Sequence, residues 1–465
     1  MSDREPVSSE RAIQVRKEAW SGSDTRLAKV VARPMVRFLA QETASGVMLL
    51  LATAVALLWV NLPGDIGESY HRLWETHLLI DVGDQVLFDE PLEGLVNDAL
   101  MVLFFFVVGL EIKSELVVGD LREPRVAALP AIAAFGGMIV PATIYSLVTA
   151  GGEGSNGWGV PMATDIAFAV GVLALLGPTV PQRLKLFLLT LAIVDDIGAI
   201  LVIAVFYTTT IRFAWLSLAV GGLVLVVILT RLKIWYTPVY AAVGIVVWYA
   251  TFRSGVHATI AGVVLGLLAP ARPLLGPRAL ERVEDTLSGE TMDPSHILDV
   301  NWKMKETISI TSRLTQLLSP WTGFVIVPIF ALANAGVELS AGAVATAAGS
   351  RVTWGIALGL VVGKLVGVSG FTYLAVRLNI ASLPSGVTMR HVMGGAAVAG
   401  IGFTVALFIA KLAFVDPEGR SLPMLEEAII GILVASVLAT TGGWFLLRRA
   451  AAAEAKTELQ VLQTS

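Results

Sequence analysis

Long runs of apolar residues, separated by short polar segments, set the pattern of this 465-residue chain. A run of about 17–25 predominantly apolar residues is long enough to cross the hydrocarbon core of a membrane as a helix. Twelve such runs lie approximately at 46–61, 93–112, 126–149, 158–177, 184–207, 213–230, 235–252, 256–270, 319–337, 353–376, 388–412 and 424–447. Because a helix satisfies its own backbone hydrogen bonds in lipid, the pattern predicts an all-α polytopic membrane protein with about 12 transmembrane helices.

The composition supports this prediction. Hydrophobic residues make up 55% of the chain, charged residues only 15%, and the mean hydropathy is +0.75. A soluble domain carries more charge on its surface, and a disordered chain carries far fewer apolar residues. The chain has no cysteine, which excludes disulfides, thiolate zinc sites and iron–sulfur clusters.

The distribution of lysine and arginine predicts the orientation. If the N-terminus is cytoplasmic, 26 of the 33 basic residues fall on the cytoplasmic side, six on the other side and one inside a span. Cytoplasmic loops carry the excess of basic residues, so both termini are predicted to be cytoplasmic. We assign residues 1–45 to a basic N-terminal segment, 46–447 to the transmembrane domain and 448–465 to a cytoplasmic tail.

Two loops are long enough to have structure of their own. In the outer loop 62–92, the residues from His77 to Phe88 are typical of two short strands joined at Gly83 and Asp84, a hairpin. The cytoplasmic loop 271–318 is mixed in charge and contains proline and glycine, so we expect it to lack a fold of its own.

Ionisable residues in the middle of predicted spans are the strongest functional signal. Asp195 and Asp196 lie at the midpoint of span five, Lys364 at the midpoint of span ten, and Asp165 follows Thr164 near the centre of span four. Each charge there costs about 2.5–3.5 kcal/mol, so these groups must be paired, protonated or facing water. A purely structural salt-bridge cluster is the alternative, but three carboxylates and one ammonium do not balance.

Helix-breaking residues interrupt two of the spans. Span four contains Pro161, and span eleven contains four glycines, Gly394, Gly395, Gly400 and Gly402. Broken helices at matching positions of two halves mark the midplane site of transporters with inverted repeats. The sequence therefore predicts inverted repeats of spans 3–5 and 10–12 with two crossing broken helices, whereas ordinary small-residue packing is the alternative.

Several motifs resemble the NhaA family of sodium/proton antiporters, a family with inverted repeats. The resemblance covers about residues 35–447, and its motifs run in family order. They are Asn-Asp-Ala-Leu-Met at 97–101, Gly-Leu-Glu-Ile-Lys-Ser-Glu-Leu at 109–116, Ala-Thr-Asp-Ile-Ala-Phe-Ala at 163–169, Leu-Ala-Ile-Val-Asp-Asp-Ile-Gly at 191–198, Ser-Gly-Val-His-Ala-Thr at 254–259, Ala-Asn-Ala-Gly-Val at 333–337, Gly-Lys at 363–364 and Gly-Ile-Gly-Phe-Thr at 400–404.

The resemblance implies a role for each residue of the mid-membrane group. Asp196 is the expected main ligand of Na⁺. Asp195 is expected to share in Na⁺ binding and to pair with Lys364 in the proton-loaded state. Asp165 and Lys364 are expected at the crossing of the broken helices, where they compensate the helix ends. Thr164 offers a hydroxyl near the ion.

The resemblance also implies a cytoplasmic funnel and groups for regulation. Asp98, Glu111 and Glu115 are expected to line or flank the funnel. His257 matches the family and titrates in the physiological range, although a polar cap at a span end is the more frequent role of such a histidine.

The chain departs from the family in the residues tied to pH regulation. Ser114 stands beside Lys113 where a basic residue often lies between the two glutamates. Thr315, Gln316 and Ser319 replace titratable residues of the family, and residues 274–312 resemble an insertion. We therefore expect pH dependence that follows competition between Na⁺ and H⁺, without a separate steep switch.

The resulting hypothesis is a Na⁺ (or Li⁺)/H⁺ antiporter in the bacterial inner membrane. It needs no cofactor beyond the transported ions, contacts membrane lipid, binds no nucleic acid and forms a homodimer through the periplasmic hairpin at 78–90. An intramembrane aspartyl protease using Asp165 and Asp196 is the main alternative, but the chain lacks Gly-x-Gly-Asp and that chemistry gives Lys364 no role. A cation channel is a third possibility, without an obvious repeated filter loop.

Overall fold

The structure is a computed structural model that describes residues 43–464, except 84, 178–179, 209–210, 233, 235, 274–306 and 417–420. The basic N-terminal segment, apart from its last three residues, therefore lies outside the described residues. Most of the segment predicted to be an insertion, 274–312, lies outside them as well.

The described chain is mostly helical, with one hairpin. Its elements are α1 (Thr43–Val60), α2 (Asp65–Trp74), β1 (His77–Val82), β2 (Gln85–Pro91), α3 (Leu92–Val117), the 3-10 helix Asp120–Arg122, α4 (Pro124–Val148), the 3-10 helix Glu153–Met162, α5 (Ile166–Leu175), α6 (Gln182–Phe206), α7 (Phe213–Arg231), α8 (Thr237–Ser254), α9 (Thr259–Leu268), α10 (Ile310–Asn334), α11 (Ala341–Gly349), α12 (Arg351–Arg377), α13 (Met389–Val398), α14 (Phe403–Ala413) and α15 (Met424–Thr464).

Seven helices in the described part of the chain are long and apolar enough to cross a membrane, namely α3, α4, α6, α7, α10, α12 and α15. Two further pairs meet the same test together but bend sharply at a short break. The first bent pair is Glu153–Met162 with α5, at 48°, and the second is α13 with α14, at 49°. The count rises to nine if each bent pair is one span. The protein is thus a multi-pass helical membrane protein.

The structure corrects one boundary of the predicted cytoplasmic loop 271–318. Its last nine residues belong to α10, which begins at Ile310. The helix starts there because the Ser309 hydroxyl accepts a hydrogen bond from Ser312 N at 3.1 Å, satisfying an N-terminal amide. At the other end of the chain, α15 continues through the predicted tail to Thr464, as its alanine-rich sequence favours.

The outer loop contains the predicted hairpin and a helix that was not predicted. Strands β1 and β2 pair antiparallel around Gly83, whose φ of 68° places it in the left-handed region. Helix α2 precedes them and buries Tyr70 and Trp74. The Tyr70 hydroxyl hydrogen-bonds Leu332 O at 2.8 Å and lies 3.0 Å from Ala333 O, so α2 covers the end of α10. The apolar residues of α2 have helical spacing in the sequence. The helix is only ten residues long, however, and is therefore too short to be predicted as a membrane span.

Helices α4 and α12 approach closely along a line of glycines. A Cβ on Gly367 would lie 2.2 Å from Gly136 O, and a Cβ on Gly136 would lie 2.4 Å from Gly367 O. Larger residues would separate the two backbones. Within α12, the residues Gly359–Gly363 form a π-helical turn. Lys364 follows this turn directly, and its side chain is fully buried. The close approach thus holds Lys364 inside the bundle.

Candidate functional site

The breaks of the two bent pairs contact each other. Between Met162 and Ile166 the first pair is extended, and Asp165 N donates to Ile401 O in the break of the second pair at 2.7 Å. The Thr164 hydroxyl donates to Ala399 O at 2.8 Å. Backbone groups that the interrupted helices leave free are therefore satisfied across the contact.

Asp165 joins the two helices that start at this contact. Its Oδ1 accepts from Phe168 N at 3.0 Å, which caps α5. Its Oδ2 accepts from Thr404 N at 3.1 Å and from the Thr404 hydroxyl at 2.6 Å, in the first turn of α14. A carboxylate suits this place because both helix N-termini carry partial positive charge. Asp165 thus lies where the breaks of the two bent pairs meet.

Lys364 contacts a carboxylate of α6. Its Nζ donates to Asp195 Oδ2 at 2.5 Å, and both side chains are 0% exposed. Asp165 supplies the acceptor that the helix N-termini need, and the carbonyls of Ala399 and Ile401 accept from Thr164 and Asp165. The ammonium is therefore left for Asp195.

Asp196 faces a cavity of about 490 Å³. Side chains of several helices line this aspartate cavity: Ser45, Phe104, Val107, Val108, Glu111, Thr164, Asp165, Ile166, Ala167, Val170, Asp196, Gln316, Ser319, Pro320, Thr322, Gly323, Phe324, Val327, Thr404 and Val405. Asp196 is 6% exposed, and among the described residues no hydrogen bond or ion pair engages its side chain. Adjacent residues on α6 thus face in two directions, Asp195 toward Lys364 and Asp196 toward the cavity.

The structure brings only one of the three expected funnel carboxylates to the cavity, Glu111. Glu115 lies farther along α3, where its Oε2 accepts from Asp120 N at 3.0 Å. Asp98 does not line the cavity. Thirteen residues of helix separate it from Glu111, roughly 20 Å, and Trp248 Nε1 donates to its carbonyl at 2.6 Å near the opposite end.

His257 has a structural contact, as the polar-cap alternative expects. Its Nε2 donates to Tyr207 O at 2.6 Å, at the end of α6. The Tyr207 hydroxyl in turn donates to Asn156 O at 2.7 Å in the first bent pair. His257 does not line the aspartate cavity.

Sequence reasoning missed that the wall of the cavity includes α10. Gln316, Ser319 and Thr322 line it, as does Ser45 from α1. In the sequence, Gln316 and Ser319 stand out only as departures from the family pattern. Both are polar residues spaced by three positions at the start of span nine, and this spacing could have indicated a polar helix face.

The polar groups that line the cavity offer carboxylate, hydroxyl and amide oxygens, which suit hard cations such as Na⁺. In the described part of the chain no group of three or more histidine, aspartate or glutamate side chains is arranged to hold a metal ion.

A polar cavity that ends at a buried carboxylate beside two bent helix pairs is typical of a secondary transporter. The comparisons with known proteins then identify the family. The model of the family described as Na+/H+ antiporter 1 matches residues 36–447. This chain belongs to that family, as the resemblance to the NhaA antiporters predicted.

Three relatives illustrate the similarity. "Na(+)/H(+) antiporter NhaA 2" of Myxococcus xanthus is 45% identical over 446 residues, which cover 92% of this chain and 93% of the relative. "Na(+)/H(+) antiporter NhaA" of Oleidesulfovibrio alaskensis is 45% identical over 429 residues, which cover 89% of this chain and 93% of the relative. "Na(+)/H(+) antiporter NhaA 3" of Frankia alni is 45% identical over 433 residues, which cover 92% of this chain and 90% of the relative. These relatives are transporters rather than enzymes, which argues against a protease.

The Lys364–Asp195 pair predicts a pH-dependent stability. Lys364→Ala leaves a buried carboxylate without its ammonium, and breaking a buried pair typically costs about 3–5 kcal/mol. Because protonation of Asp195 removes the unpaired charge, we expect the loss in Tm to be larger at alkaline than at acidic pH. Thermal unfolding in detergent measures it, with Lys185→Ala as the control. An unchanged Tm at alkaline pH contradicts the pair's contribution.

Proposed function

We propose that this antiporter exports Na⁺ or Li⁺ in exchange for protons by alternating access, and that Asp196 is the carboxylate at which the ions compete. The observation that carries the proposal is the position of Asp196, unpaired at the end of the aspartate cavity. An unpaired carboxylate facing water accepts either a proton or a cation, and one excludes the other.

Asp195 and Lys364 form the second part of the proposed mechanism. In the proton-loaded state Lys364 holds Asp195, as their 2.5 Å contact suggests. When Na⁺ binds at Asp196, its positive charge competes with the ammonium for Asp195, which then contributes an oxygen to the ion. Thr164 lines the same cavity and provides a hydroxyl. Asp165 stays fixed by its helix caps and supplies negative charge without moving.

The proposed topology has twelve spans, with inverted repeats of spans 3–5 and 10–12 and the bent pairs as broken spans four and eleven. Both termini are cytoplasmic, since 26 basic residues lie on that side against six on the other. The aspartate cavity includes Glu111, close to the basic loop with Lys113 and Arg122. We therefore assign the cavity to the cytoplasmic side of the bacterial inner membrane.

The proposed assembly is a homodimer through the periplasmic hairpin at 78–90, in contact with membrane lipid. Strand β1 exposes Leu78, Leu79 and Ile80, by 40%, 57% and 47%. Apolar side chains on a strand with an unpaired edge favour contact with a second copy.

We propose that regulation by pH follows the ion competition. Glu111 lines the cavity and attracts cations, whereas Gln316 and Ser319 on the opposite wall do not titrate. Glu115, His257 and Asp98 lie outside the cavity, and the side chains of Glu115 and His257 have hydrogen bonds of their own. This arrangement offers no separate steep sensor among the cavity walls.

The first test concerns Asp196. Asp196→Asn keeps the volume of the side chain but removes the charge that binds the cation and the proton, so we expect exchange to fall to background while the protein remains folded. Na⁺-driven proton movement in proteoliposomes measures this, with Asp120→Asn in the 3-10 helix Asp120–Arg122 as control. Exchange near the wild-type rate in Asp196→Asn refutes the assignment.

The second test concerns competition. A higher Na⁺ concentration displaces protons at lower pH, so the pH of half-maximal exchange should move downward as Na⁺ increases. The pH profile of exchange, measured at several Na⁺ concentrations, gives the shift. A half-activation pH that stays fixed indicates a separate sensor and contradicts the proposal.

The third test concerns the dimer. Leu79→Lys places a charge on the exposed face of β1 and should weaken dimerisation, measured by cross-linking in membranes. Leu73→Lys changes a similarly exposed leucine of α2 and is the matched control. If Leu79→Lys dimerises like the control, the hairpin is not the contact.

A further inference from the structure

We propose that Glu93 and Lys411 form a latch that closes the ion site toward the outer side and must open whenever the site turns outward. The inference rests on the alternating-access function proposed above and assigns a role to two residues outside the ion site. Lys411 Nζ donates to Glu93 Oε1, and the two side chains are 15% and 27% exposed.

The latch joins α14, whose first turn contacts the ion site, to α3, which lies outside both bent pairs. Lys411 lies in the last turn of α14, whose first turn contacts Asp165 through Thr404. Glu93 lies in the first turn of α3, outside both bent pairs. Seven residues separate Thr404 from Lys411, about 10 Å of helix, so the latch lies beyond the site on the side away from the cavity.

An aromatic layer lies between the site and the latch. Phe408, one turn after Thr404, has its ring centroid 5.3 Å from that of Phe105 and 6.4 Å from that of Phe330. All three side chains are buried, with 3% exposure or less. The aspartate cavity stops at their neighbours Phe104 and Val405. Ions can therefore leave outward only after α14 separates from α3 and α10.

A second polar contact joins α3 to α10. Asn97 on α3 and Asn334 on α10 exchange two hydrogen bonds, of 2.9 and 3.2 Å. The aromatic layer thus has one wall made of α3 and α10, which this reciprocal pair joins, and a second wall made of α14. The Glu93–Lys411 contact connects the two walls, so it has to break when they separate.

The chemistry of the pair suits a reversible contact. Glu93 is near a helix N-terminus and Lys411 near a helix C-terminus, where each charge is favoured. Because both side chains reach water already, each charge can be hydrated after separation. The fully buried Lys364–Asp195 pair has no such access, since both of its side chains are 0% exposed.

The test uses the absence of native cysteine, so that Val405→Cys in the cavity wall is the single reporter thiol. In right-side-out vesicles, an impermeant thiol reagent added outside reaches this thiol only through an opened outer path. We expect Glu93→Gln and Lys411→Gln to label about five-fold faster than the reporter alone. The charge-swapped double variant, Glu93→Lys with Lys411→Glu, should restore part of the slow labelling of the reporter thiol. Asp89→Asn, which removes an exposed pair with His77, should change nothing.

Unchanged labelling in both latch variants, with exchange intact, overturns the latch. If the wild-type protein shows no Na⁺/H⁺ exchange, the proposed function is overturned instead. Failure of the latch and failure of the proposed function are therefore distinguishable. A second measurement does not depend on the reporter. Glu93→Cys with Lys411→Cys, joined by a bis-methanethiosulfonate that forms a disulfide with each thiol, should stop Na⁺/H⁺ exchange, and reduction of these disulfides should restore it. Exchange that continues in the cross-linked protein also overturns the latch.

Discussion

The site contains three buried carboxylates and one buried ammonium, and this imbalance is the constraint on which the site depends. Lys364 lies 2.5 Å from Asp195 and neutralises it. Asp165 is stabilised by the N-termini of two helices, through Phe168 N and the backbone and hydroxyl of Thr404. Asp196 has neither kind of partner among the described residues and faces the aspartate cavity. The charge that remains available for transported ions is therefore on Asp196.

The breaks in the two bent pairs make this arrangement possible. A continuous helix would offer no free amides to Asp165 in the middle of the bundle, and an acceptor without them would be costly there. The close packing of Gly136 against Gly367 then brings α4 and α12 together around Lys364. Irregular backbone inside a membrane is tolerated where it is buried in protein or lines a cavity, and here it does both.

Much of the site could be predicted from the sequence because buried charge is rare in apolar spans. Asp196 and Lys364 stood out for that reason, whereas residues whose role depends on a distant partner did not. Asp98 was placed at the funnel because its motif precedes Glu111, but the length of α3 separates the two. Glu93 and Lys411 are 318 residues apart in the chain, and only the tertiary structure brings them together. The short helix α2 lay within a loop whose hairpin signal was stronger.

The most direct test of the account is proton release on addition of Na⁺ to the purified protein. If one carboxylate binds either ion, Na⁺ must displace protons from the wild-type protein, in an amount that decreases as the pH rises and the site empties of protons. The account predicts this release in the wild type and none in Asp196→Asn at any pH. Release of equal amplitude from both proteins would contradict the assignment of the competition to Asp196.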